Sequence, residues 1–172
     1  ATSAPAEPPA SLAAESQVIG RSVQGRPITA VQLGDPAAEP VALVVGLIHG
    51  DEHAGLRVVD RIEARADELQ GVQLWVIPSV NPDGARAHAR KNAHGVDLNR
   101  NFPYRWRGGL PHSDGYYPGP EPASEPETRA VIDFVRQIKP QISIWYHQPW
   151  GAVLACHGRP ALAARYAKLV RM

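Results

Sequence analysis

Cysteine is nearly missing from this chain. One residue in 172, Cys156, cannot close a disulfide within the chain, so it is either a buried thiol or has its partner elsewhere. A large excess of charge of one sign is missing too. The formal net charge is +1, which leaves no global field to draw nucleic acid or a membrane surface. No run is long and apolar enough to cross a bilayer. No internal repeat divides the chain, and no linker follows the first residues. What is there suffices for one globular domain with a real core: 44% apolar and 20% charged residues over 172 positions. The opening ATSAPAEPPA is rich in Ala and Pro and is expected to be disordered. The chain thus divides into an arm over 1–15 and a domain over 16–172. Such an arm looks like the segment that follows a removed signal peptide.

Local charge is less even than the total. Arg86, Arg90, Lys91, Arg100, Arg105 and Arg107 fall in one short stretch with His88 and His94, opposed only by Asp97. Either this is a solvated basic loop or it forms a pocket for an anionic group.

The pattern along the chain alternates strand and helix. Residues 28–33 alternate, with Ile28, Ala30 and Gln32 against Thr29, Val31 and Leu33, after a Gln-Gly-Arg-Pro turn, which predicts a hairpin strand. Residues 41–48, 72–77 and 142–146 are short apolar runs of the kind that form strands buried on both faces. Leu56, Val59, Ile62, Ala66 and Leu69 share one helical face over 56–69. Residues 78–122 are rich in Pro, Gly, Asn and Arg with little periodicity, and so long an irregular stretch is usually functional. Ser124 to Glu127 predicts a capping box, opening a helix that stops before Pro140. A last helix starts near Pro160. The expected fold is α/β, with a mixed, largely parallel central sheet flanked by helices. Ligands of such sheets bind beyond the carboxyl ends of the strands, where His49 and His147 fall.

His49-Gly50-Asp51-Glu52 sets an imidazole and a carboxylate three residues apart at a strand end. A turn there can aim both at one ion. Zinc suits mixed imidazole and carboxylate ligation, with bonds of about 2.0–2.2 Å, and catalytic zinc takes three protein ligands. His147, at the end of a second strand, is the third candidate, and His53 ranks below it. Alone, so short a motif carries no assignment. Its company does: Asn81-Pro-Asp-Gly84, Arg90-Lys-Asn92, the run GVDLNRNF from Gly95 to Phe102, then SEPET from Ser124.

In these motifs and their order the sequence resembles the zinc carboxypeptidase family, over roughly residues 46–148. The resemblance implies one zinc ion held by His49, Glu52 and His147. It implies that Arg90, with Lys91 as its neighbouring alternative, stabilises the oxyanion of the scissile carbonyl. Asn99 and Arg100 would hold the substrate's terminal carboxylate, which a guanidinium grips with two parallel hydrogen bonds. Asp97 would orient the first zinc-binding histidine from behind. The run ending in Asn-Phe-Pro is similar to the bacterial murein peptide amidase branch, which cleaves the γ-D-glutamyl to diaminopimelate bond. A peptide or muropeptide with a free carboxylate is the implied partner, and a secreted or cell-envelope location goes with it, a cytoplasmic one being the alternative.

The family's general base is a glutamate late in the domain, and no glutamate or aspartate follows His147 in this sequence. The final helical pattern also ends without a stop signal at Met172. The expectation is a domain truncated at its C-terminal end. Two other functions remain open: a zinc- and peptide-binding module without hydrolytic power, and an N-acyl amino acid deacylase.

Overall fold

The computed structural model describes residues 15–149, 151–155 and 160–171. Most of the expected arm (1–14) and Cys156 lie outside the described residues; Glu15 already opens the first strand.

Five strands form one sheet: β1 (Glu15–Arg21), β2 (Pro27–Gly34), β3 (Val41–Leu47), β4 (Gln73–Ser79) and β5 (Ile142–Trp145). Their order is β1-β2-β4-β3-β5. The β1–β2 hairpin and the β2–β4 pair are antiparallel, whereas β4–β3 and β3–β5 are parallel. The sheet is mixed, and its parallel half carries the candidate site.

Helices cover both faces. Strand residues alternate between them, so Leu43 and Val45 pack with Trp75, Ile77, Val131 and Phe134 on one side. On the other side Val44 packs with Leu74, Val76 and Val59. The first layer belongs to α4 (Pro126–Ile138) and the second to α1 (Ala54–Glu63). Gly46 and Gly55 let α1 lie against β3. A Cβ on Gly55 would collide with the Gly46 carbonyl, and one on Gly46 would come 2.8 Å from Val59 Cγ2.

Three local expectations are corrected. The run over 142–146, expected as a strand buried on both faces, is the edge strand β5, none of whose residues is buried. The helix expected over 56–69 ends at Glu63, and a 3-10 turn follows at Ala66–Glu68. Ile62, Ala66 and Leu69 still pack on one cluster, because the tighter turn keeps the apolar face while changing the pitch. The capping box does not form. Glu125 is the N-cap of α4, and the Ser124 hydroxyl donates to its carboxylate. Glu127, fully buried, instead accepts from the Val23 N–H and from Asn92 Nδ2.

Residues 78–122 are more ordered than their composition predicts. They hold α2 (Pro82–Ala87), capped by Asn81 accepting from the Gly84 N–H, and α3 (Leu98–Asn101), capped by Asp97. The last helix, α5 (Pro160–Leu169), reaches the sheet through the 2.8 Å pair of Tyr166 and Tyr146 hydroxyls.

Candidate metal centre

β3 and β5 run side by side and in parallel, with Val45 opposite Trp145. Their ends therefore release His49 and His147 at the same edge of the sheet. The chain turns sharply after His49, where the Glu52 N–H donates to the His49 carbonyl. Gly50 sits at the bend with no room for a side chain, since a Cβ there would strike Gly84 and Ala89 of the neighbouring segment. The turn brings Glu52 back beside His49.

Three donor groups converge. His49 Nδ1 lies 3.0 Å from Glu52 Oε1, and His147 Nδ1 lies 2.9 Å from Glu52 Oε2. The two Nδ1 atoms are 3.2 Å apart. Donors bound to a tetrahedral ion at about 2.0–2.1 Å are themselves roughly 3.3 Å apart. The cluster has that size, and its two imidazoles and one carboxylate are a donor set that zinc accepts. The residues present fit the ion.

A buried carboxylate stands behind the cluster. Asp97 Oδ1 is 3.1 Å from His49 Nε2, while Oδ2 accepts from Arg90 Nε at 3.1 Å and Arg90 Nη2 at 2.8 Å. Burial pushes the Asp97 carboxyl up, but the hydrogen bonds and charges of His49 and Arg90 outweigh it, and the net shift is downward. An ionised Asp97 fixes His49 with its proton on Nε2, leaving Nδ1 free for a metal. Arg90 also reaches forward, its Nη1 lying 3.4 Å from His49 Nδ1 and 3.7 Å from Glu52 Oε1.

The two neighbours considered from sequence are placed elsewhere. His53 bonds back to the Gly50 carbonyl at 2.7 Å and stacks on His88. Lys91 donates to the carbonyls of His112 and Asp114 and pins that loop. Asn99 and Arg100 follow Asp97 on α3. Arg100 is exposed, and its recorded polar contact is the Asn99 carbonyl at 3.2 Å. The Asn99 N–H donates to Asp97 Oδ1 at 3.0 Å, and what joins Arg100 to the centre is Tyr116. Its ring lies 5.0 Å from the Arg90 guanidinium and 5.5 Å from that of Arg100.

Sequence reasoning missed Tyr116, because nothing in a Gly-Tyr-Tyr-Pro loop marks which ring will meet two arginines. It also missed the polar network under the site. Asn92 Nδ2 donates to Glu125 at 2.7 Å and to Glu127 at 3.1 Å, while its oxygen accepts from the His94 and Val96 N–H groups. His94 Nδ1 meets Glu125 at 2.8 Å. Burial, more than the nearby Glu125, raises the Glu127 carboxyl above its ordinary value against the hydrogen bonds it accepts. The motif spelling SEPE held the signal, but it read as a helix cap rather than as a buried anchor.

The zinc carboxypeptidase family profile matches residues 10–165. Murein peptide amidase A of Escherichia coli K12 is 34% identical over 150 residues, covering 80% of this chain and 59% of that protein. Carboxypeptidase SOL1 of Arabidopsis thaliana is 32% identical over 154 residues, covering 80% of this chain and 29% of that protein. The crystal structure of murein-tripeptide amidase from E. coli O157 superposes with a TM-score of 0.62 at 30% identity, covering 80% of this chain and 62% of that one. The chain thus spans less than two thirds of the length of these two curated relatives.

Proposed function

The chain belongs to the zinc carboxypeptidase family, and from that membership we propose that it carries the metal- and carboxylate-holding part of an amidase. The proposed reaction is hydrolysis of an amide bond beside a free carboxylate, in particular the γ-D-glutamyl to diaminopimelate bond of peptidoglycan peptides. The observation that carries this reading is the convergence of His49, Glu52 and His147 with Arg90 at its rim and Arg100 one tyrosine ring away. The likeness to murein peptide amidases supports the substrate. A cell-envelope location follows from that substrate.

In this reading His49, Glu52 and His147 hold one zinc ion, and Asp97 keeps the His49 ring in register. Bound zinc supplies a Lewis acid and lowers the pKa of the attacking water. Arg90 faces the scissile carbonyl and stabilises the negative charge that develops on its oxygen. Arg100, with Asn99, grips the substrate carboxylate and so fixes which amide lies at the centre. Hydrolysis adds water's oxygen to the carbonyl carbon, breaks the C–N bond and sends a proton to the leaving amine. Among the described residues, the carboxylates in contact with the centre are Glu52 and Asp97, both already engaged.

That engagement favours a second reading: a zinc- and peptide-binding module. One experiment separates them. Zinc-loaded protein is incubated with L-alanyl-γ-D-glutamyl-diaminopimelate and with ordinary peptides, and both binding and released amino acid are measured. Release of diaminopimelate is the expected result. Tripeptide binding without release selects the module. Release from ordinary peptides alone overturns the murein substrate.

A further inference from the structure

The loop between α3 and α4 encloses a cleft of about 290 Å³ beside the candidate centre. Three of the residues lining it are arginines, Arg100, Arg105 and Arg107, and none is acidic. Among the described residues no carboxylate pairs with any of the three. Arg105 lies over the Tyr104 ring at 5.3 Å, and Arg100 over Tyr116. This differs from the arginine next door, since Arg90 is neutralised by Asp97 at 2.8 Å.

The cleft is built rather than loose. Trp106 Nε1 donates to the Pro118 carbonyl at 3.2 Å, and Asn101 Nδ2 donates to the same oxygen at 2.8 Å. The Asp97 N–H donates to the Tyr117 carbonyl at 2.8 Å, and His112 Nε2 is 2.9 Å from the His94 carbonyl. Arginines gathered on a pinned loop repel one another until an anion arrives, and each can then form a forked pair with a carboxylate. One terminal carboxylate satisfies Arg100 and leaves two guanidinium groups unmatched.

We propose that Arg105 and Arg107 recognise a second acidic group, carried on the side chain of the same residue whose main-chain carboxylate Arg100 holds. The preferred leaving residue is therefore a di-acid. This rests on the reading above, in which Arg100 is the carboxylate clamp, and it adds the chemistry of the side chain beyond it.

Calorimetry on the zinc-loaded protein tests it with two pairs of peptides. In the first, L-alanyl-γ-D-glutamyl peptides end in meso-diaminopimelate or in L-lysine, which differ only by the far carboxylate. In the second, plain N-acyl dipeptides end in 2-aminoadipate or in norleucine. The acidic member of each pair is expected to bind roughly tenfold more tightly, the usual size of one charge-assisted pair. In the Arg105→Gln, Arg107→Gln double variant that ratio should fall to within about twofold. Equal affinities within both pairs, or a preference unchanged in the double variant, overturns the proposal. A preference for aminoadipate with no binding of either γ-glutamyl peptide would uphold the di-acid site and reject the murein substrate, so the two ideas fail separately.

Discussion

His49 and His147 face each other across 3.2 Å, yet the fold holds them in unlike ways. His49 leaves the buried strand β3, is 2% exposed, and has its far nitrogen fixed by Asp97. His147 leaves the short edge strand β5, its side chain is 37% exposed, and its recorded contacts are His49 and Glu52. β5 itself is half open: Ile142 is 39% exposed. One side of the centre is preorganised by the core, and the other is held by the groups it meets. The lesson concerns where affinity and where motion reside. A metal would find His49 and Glu52 in place, and its binding would tie β5 to them.

The largest expected effect is on zinc. Replacing either histidine by alanine should weaken zinc binding by about a thousandfold, one ligand's share of a typical protein site, read by competition with a chromophoric chelator. The two variants should part company without metal. His49→Ala should destabilise the apo protein by about 2–3 kcal/mol in urea unfolding, because it strips a partner from buried Asp97. His147→Ala should cost under about 0.5 kcal/mol, as exposed substitutions do. Equal losses would remove the contrast between the two sides.

Next comes Asn92→Ala, beneath the His49 side. It takes away the donor shared by the buried carboxylates of Glu125 and Glu127 and the acceptor that closes the turn to Val96. The expected cost is about 3 kcal/mol, measured by the shift of the urea midpoint. A change under 1 kcal/mol would show that water replaces the amide there. Asp97→Asn follows, with zinc affinity falling about 10- to 100-fold, as when the partner behind a ligating histidine is altered.

Amide hydrogen exchange sharpens the contrast directly. Zinc should slow exchange in β5 more than in β3, which is already protected by its burial. Equal protection in the two strands would mean that β5 is fixed before metal arrives.

The smallest effect is one of pH. Burial pushes the Asp83 carboxyl up, but the Gln24 N–H, Arg26 and Ser22 hold it below the ordinary range overall. A folded pKa below the unfolded one contributes stability that is present above about pH 3.9 and lost as pH falls through the folded value. Glu127 has the opposite sign. Its raised carboxyl favours the protonated folded form, so its contribution declines as pH climbs above about 4.3. Asp83→Asn should therefore flatten only the acid limb of a stability profile. Flattening near neutrality would contradict the assignment.

Much of this molecule could be read from the residues in order. The apolar runs at 41–48 and 72–77 became β3 and β4, because buried strands advertise themselves by continuous hydrophobicity, while the run at 142–146 became the edge strand β5, none of whose residues is buried. β1 escaped notice because its ESQVIGR is polar and lies at the edge, with Val18 56% exposed. α2 and α3 are too short to show a period, being six and four residues long. Within the centre, His49, Glu52 and Asp97 were legible as motif letters. Their distances were not.

The sequence by itself determined the alternating strands and helices, the family, and the kinds of donor at the strand ends. Those properties follow from local hydrophobic period and from residue chemistry, which travel along the chain. The tertiary structure alone decided that Glu127 is a buried anchor rather than a cap. It alone put Tyr116 beneath two arginines and gathered Arg100, Arg105 and Arg107 into one acid-free cleft. Each of these depends on segments distant in sequence meeting in space, and burial and charge pairing take their values only once those segments have met.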